Sequence, residues 1–147
     1  MEKVRKPKVI FLCTGNSARS QMAEAILRKY AGDRYEVYSA GLDPKGINPY
    51  TVRVLEEIGI SLDNHTSKSV SEYLGVEHFA YNITVCSNAE ENCPRVFLSS
   101  GVHEHWGFED PAAFEGTDEA KMDKFREVRG LIDQRIQDWL AGQAKTA

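Results

Sequence analysis

The stretch KVIFLCTGNSARS, residues 8–20, decides how the chain begins. Lys8 to Cys13 is a short apolar, β-rich run and reads as a buried strand. Thr14, Gly15 and Asn16 make a polar turn, and Ser17 offers an N-cap for a helix running to about Tyr30. Met22, Ala23, Ile26 and Leu27 share one face of that helix. A strand, a tight loop and a helix in succession are the opening half of a βαβ unit.

Outward from there the alternation continues. Ala31, Gly32 and Asp33 end the first helix, and Tyr35 to Ala40 alternates as a second strand closed by Gly41. Asn48 and Pro49 open another helix, with Val52, Val54, Leu55 and Ile58 apolar and Gly59 as its stop. Ser61 to Ser67 reads as loop, Tyr81 to Cys86 as a third strand, and Val102 to Phe108 as the segment of a fourth. Glu119 to Leu140 is a long closing helix with Phe125, Val128, Leu131, Ile132, Ile136 and Leu140 spaced for a core face. The pattern predicts one α/β domain over residues 1–147, a central parallel four-stranded sheet flanked by helices. In open parallel sheets, sites form at the carboxyl ends of the strands. Cys13 ends the first strand, Cys86 ends the third, and Asp110 lies just past the fourth, so all three are expected on one edge.

Composition narrows the classes. The 147 residues suit one domain, and 41% hydrophobic with 27% charged residues is ordinary for a globular protein. A net charge of −4 argues against coating nucleic acid, which needs clustered Lys and Arg. The basic start, Met1 to Lys8, precedes no apolar run of signal-peptide length, and no stretch reaches bilayer length. A cytoplasmic protein without membrane contact is expected, and no long apolar stripe calls for association, so a monomer is expected. Three cysteines in a reducing compartment favour catalytic, redox or metal roles over a disulfide framework.

Cys13 to Ser20 has the pattern Cys-x5-Arg-Ser, suited to a tetrahedral oxyanion. A loop at a helix N-terminus turns several N–H groups inward and adds the positive end of the dipole. The backbone of Thr14, Gly15, Asn16, Ser17, Ala18, Arg19 and Ser20 is the predicted cradle, with the Arg19 fork clamping two oxygens. The same field is expected to lower the Cys13 pKa, and Ser20 to donate to the thiolate. Asn16 tolerates unusual backbone angles and is expected to shape the loop.

Cys86 and Cys93 are seven residues apart, about 10 Å along a regular helix. A disulfide wants Cα atoms about 4.4–6.8 Å apart, so the segment must unwind for the two to join. Its polar run, Ser87 to Asn92, and Pro94 suit such a change. Neither Cys-x6-Cys nor His103-x-His105 has the usual zinc spacing, so no metal is expected. Asp110 is held by Pro111 where it can protonate a leaving oxygen, although most Asp-Pro pairs are solvated turns. Trp106, Phe108 and Trp139 read as packing, and His65 as a hydrogen-bonded structural residue.

The chain resembles the low-molecular-weight protein tyrosine phosphatase fold and, within it, thioredoxin-coupled arsenate reductases. The likeness rests on CTGNSARSQMAE (13–24), YSAG (38–41), NHTS (64–67), VCSNAEENCP (85–94) and HWGFEDPA (105–112). It implies reduction of arsenate to arsenite without a bound cofactor, by nucleophilic Cys13 with Asp110 as general acid. A Cys13–Cys86 disulfide forms transiently, then a Cys86–Cys93 disulfide that thioredoxin reduces, and weak phosphatase activity accompanies this. Some relatives carry a cysteine where this chain has Ala18, which is not one of the three redox thiols. Some also bind potassium through positions matching Asn16, Glu24, Ser39 and a carboxylate; here the last is Lys68, whose ammonium is expected to replace the cation. Two other readings stay open: a phosphotyrosine phosphatase, which leaves Cys93 unexplained and lacks aromatic residues at Ala112 and Ala113, and a redox sensor, which needs no Asp110.

Overall fold

A computed structural model describes residues 6–63, 65–73, 78–86 and 101–146. Four parallel strands form one sheet in the order β2-β1-β3-β4: β1 Lys8–Cys13, β2 Glu36–Gly41, β3 Tyr81–Thr84 and β4 Val102–His105. Among the described residues three helices cover it, α1 Arg19–Ala31, α2 Pro49–Glu56 and α3 Asp118–Thr146, with 3₁₀ turns at Val70–Glu72 and Pro111–Ala113.

β1 lies between two neighbours, and Val9, Ile10, Phe11 and Leu12 are fully buried, as an unbroken apolar run requires in a parallel sheet. α1 turns Met22, Ala23, Ile26 and Leu27 into that core. α2 starts where the sequence placed it, with the Asn48 side chain accepting from Tyr50 N–H and Pro49 in the first turn. It ends at Glu56, and Gly59 then takes φ +81° in the turn that follows. α3 packs on α1 and α2 and continues past Leu140 to Thr146.

Two expectations need correction here. Leu131 is 54% exposed, because Phe125, Val128, Ile132, Ile136 and Trp139 take the buried face of the helix. β3 and β4 are shorter than the segments that hold them: Cys86 lies two residues past β3 rather than at its end, and Trp106 and Phe108 follow β4 in hydrogen bonds without extending it.

Beneath β4 a polar hub joins sheet to helix. Both oxygens of the Glu104 carboxylate accept indole N–H groups, Oε1 from Trp106 at 3.1 Å and Oε2 from Trp139 at 3.0 Å. Trp106 packs on Phe11 of β1 and Trp139 on Tyr35 and Tyr81. The expected packing roles of both tryptophans match this placement. Among the described residues, no helix is long and apolar enough to cross a membrane.

Candidate active site

The chain leaves β1 at Cys13 and curls through Thr14 to Ala18 before α1 begins at Arg19. The curl is held from outside by its carbonyls. Leu42 N–H donates to Cys13 O at 3.1 Å, Asp43 N–H to Thr14 O at 2.8 Å, Lys45 N–H to Gly15 O at 2.9 Å and Asn48 N–H to Ser17 O at 3.0 Å. Gln21 Nε2 donates to Asn16 O at 3.2 Å. In a trans peptide, C=O and the next N–H point opposite ways, so carbonyls facing out turn the following N–H groups in. The N–H groups of Gly15 to Ala18 donate to no other described residue. Ala18, not Ser17, is the helix N-cap and supplies no side-chain cap. The expected Ser17 cap fails because Ser17 belongs to the loop, its carbonyl taken by Asn48 N–H and the Thr51 hydroxyl. The first turn of α1 thus keeps its orphan donors, which suits an anion.

Close packing fixes the curl against β2. A Cβ on Gly41 would lie 2.6 Å from Thr14 O and 2.8 Å from Asn16 N, so only glycine fits there. Asn16 is fully buried at φ +47°, the left-handed region where asparagine is tolerated. Its Nδ2 donates to Ser20 Oγ and Ser39 Oγ, each at 2.9 Å. Its Oδ1 accepts from Lys68 N–H at 2.7 Å and Gln21 Nε2 at 3.1 Å. The hydroxyl oxygen of Ser20 thus accepts from Asn16, which leaves its O–H available as a donor. Gln21, fully buried beside it, was not singled out in the sequence, where a helical glutamine gives no signal of what lies across from it.

Deeper still, Ser39 Oγ donates to Glu24 Oε1 at 2.5 Å. Glu24 is buried and meets Arg28 at 2.7 Å and His65 at 3.4 Å. Lys68 Nζ donates to Thr66 O at 2.6 Å and lies 4.0 Å from Glu24 Oε1. A cation thus stands beside the buried carboxylate. Burial first, and then the Arg28 and Lys68 charges, hold the His65 pKa below its ordinary value against the pull of Glu24.

The loop opens into a pocket of about 280 Å³ lined by Cys13, Thr14, Gly15, Ser17, Ala18 and Arg19, together with Lys45, Asp110 and Ala112. Arg19 Nη1 donates to Phe108 O at 3.0 Å, and its Nη2 lies 3.7 Å from Asp110 Oδ2, which points the guanidinium along one wall. Asp110 caps its 3₁₀ turn, Oδ1 accepting Ala112 N–H at 3.0 Å, while Pro111 fixes the backbone. Lys45, which the sequence did not bring forward, lies in the segment after β2 and lines the same pocket.

Cys13 and Cys86 are both buried as free thiols, near enough for Cys86 to act on the Cys13 proton. Thr14 Oγ1 lies 3.4 Å from Cys86 Sγ. The Cys86 contact first, then burial, raises the Cys13 pKa, while Arg19 and the Thr14 N–H work the other way. The expectation of a lowered Cys13 pKa, drawn from the loop alone, is reversed by a neighbour that spacing did not reveal. Two neighbouring thiols do not readily ionise together, because the second ionisation faces the first. The structure thus brings Cys13, Cys86, Arg19 and Asp110 to one edge of the sheet; Cys93 and Asn64 lie outside the described residues. Among the described residues, no cluster of His, Cys, Asp or Glu is arranged to hold a metal.

The family model for low molecular weight phosphotyrosine protein phosphatase matches residues 8–146. The chain belongs to that family. It is 45% identical over 133 residues to an arsenate reductase of Halalkalibacterium halodurans, which covers 90% of this chain and 94% of the relative. A solved arsenate reductase in its phosphate-binding state superposes with a TM-score of 0.78 at 28% identity, covering 92% of this chain and 98% of that one. A thioredoxin-dependent arsenate reductase of Corynebacterium glutamicum gives 0.71 at 28% identity, over 97% of this chain and 64% of the other.

Proposed function

We propose that this chain is an arsenate reductase whose loop from Cys13 to Ser20 holds the oxyanion. The observation that carries the reading is the second buried free thiol, Cys86, whose sulfur lies 3.4 Å from Thr14 Oγ1 in the loop. Phosphate ester hydrolysis needs one nucleophile. Reducing As(V) to As(III) needs two electrons, and a pair of thiols supplies them by becoming a disulfide. The relatives named arsenate reductase support the same reading.

Arsenate enters against the inward N–H groups and Arg19. The Cys13 thiolate attacks arsenic, an As–S bond forms, and hydroxide departs as water with the proton of Asp110. The Cys86 thiolate then attacks Cys13 Sγ. An S–S bond forms, the As–S pair returns to arsenic, and arsenite leaves as As(III). Cys93 attacks Cys86 in turn, freeing the Cys13 thiolate and leaving a Cys86–Cys93 disulfide. A dithiol donor then reduces it; thioredoxin is the reading favoured by the third cysteine and by the Corynebacterium relative. Such a cycle runs on free thiols and belongs in a reducing cytoplasm. A monomer suffices for it, and slow aryl phosphate hydrolysis accompanies it because phosphate and arsenate share shape and charge.

The test is NADPH oxidation with thioredoxin, thioredoxin reductase and arsenate, for wild type and Cys93→Ser. Steady turnover in wild type and its loss in the variant is expected. Aryl phosphate hydrolysis with no arsenate-dependent oxidation would overturn the reading in favour of a phosphatase.

A further inference from the structure

Resting on the arsenate reading, we infer that Lys45 is a further substrate-binding residue, a cation that exchanges its carboxylate partner Asp43 for the oxyanion in the loop. Three observations converge. Its backbone N–H is fastened to Gly15 O at 2.9 Å, so the residue travels with the loop. Its stem crosses the loop's edge, with Cγ 3.1 Å from where a Cβ on Gly15 would lie. Lys45 also lines the pocket that Cys13 and Arg19 line.

Topology sets it apart from the other charged side chains there. Arg19 and Asp110 face each other at 3.7 Å, and Asp110 follows β4, at one edge of the sheet. Lys45 follows β2, at the opposite edge, so it approaches the β1 loop from the other flank. An arsenate or phosphate dianion seated on the N–H groups would then have a cation on each side. In a chain of net charge −4, local cations also decide whether a dianion is drawn in or repelled.

The partner exchange is cheap. Lys45 Nζ meets Asp43 Oδ2 at 2.8 Å, but both side chains are about two-thirds exposed, and such ion pairs contribute little. The loop dianion offers twice the charge in a less screened place. Asp43 N–H is itself bound to Thr14 O at 2.8 Å, so the carboxylate holds the ammonium near the pocket while arsenate is absent.

The experiment follows alkylation of Cys13 by iodoacetamide, peptide by peptide, over a titration of inorganic phosphate at low and high salt. Lys45→Met should need about three- to fivefold more phosphate for half protection, with a flatter salt dependence. Lys45→Arg should protect near the wild-type concentration, and Asp43→Asn, which frees the lysine, at a lower one. In turnover the Lys45→Met loss should fall on KM for arsenate rather than on kcat. Protection of Lys45→Met at wild-type phosphate concentrations with wild-type salt dependence would overturn the inference. Absence of phosphate protection in the wild type would instead refute the oxyanion loop, on which it depends.

Discussion

Replacing Asn16 by alanine removes the centre of the loop's support, and the structure allows its effect to be divided. Two parts are separable. Alanine at φ +47° bears the left-handed backbone without the local bonding that excuses asparagine, a cost of about 1 kcal/mol. The Lys68 N–H loses its acceptor, Asn16 Oδ1 at 2.7 Å, while Gln21 Nε2 keeps Asn16 O and Thr66 O. One orphaned, partly buried N–H that loses its acceptor costs about 2 kcal/mol. Asn16→Ala should thus be destabilised by about 3 kcal/mol, or roughly 6–12 °C in Tm for a chain of this size. Glycine relieves the backbone share and leaves the other, so Asn16→Gly should lose only about 2 kcal/mol. Urea denaturation with a fixed m-value measures both. A loss under about 1 kcal/mol for alanine would refute the buried-hub account. Equal losses for alanine and glycine would refute the assignment of strain to the backbone.

Two other outcomes follow from charged groups. Hydrogen bonds from Arg126 first, and also from Arg129, hold Glu57 down to about 2 from an ordinary 4.5. A depressed carboxylate contributes stability above its unfolded value and loses it as pH falls through its folded one. Glu57→Gln should therefore be less stable than wild type at pH 7, by under about 1 kcal/mol for so exposed a group, with the gap closing between pH 4.5 and 2 in a denaturation series. Lys68 stands beside Glu24, so turnover should not change when potassium replaces choline at constant ionic strength. A clear rise with potassium would sink the idea that the lysine serves as the cation.

Much of the fold was legible because its signals are local. The unbroken run from Val9 to Leu12 can only be a strand buried on both faces, and Asn48 before Pro49 marks a helix start by chemistry within three residues. What the sequence hid is what arrives from far along the chain. Ser17 looks like a helix cap because it stands between a turn and a helix. Its carbonyl is claimed by Asn48 and Thr51, more than thirty residues on, and that makes it loop. Cys13 looked activated because only its own loop was in view; Cys86, brought alongside by the β1–β3 pairing, changes its proton balance. Lys45 and Gln21 are ordinary surface-type and helix-type residues by composition, and only the curl of the loop gives them meaning. Leu131 matched a helical period, but a long helix has more apolar positions than one sheet can cover.

The Glu104 hub also governs the optical behaviour of the molecule. Trp106 and Trp139 are the chain's two tryptophans, and both end on the same carboxylate, their ring centres 6.2 Å apart. Tryptophan emission therefore originates at one spot, where β4 meets α3, with Trp106 four residues before Asp110. Tryptophan emission reports that junction, so a change in it on oxidation or anion binding means that the disturbance has travelled from the loop to the root of the acid's strand.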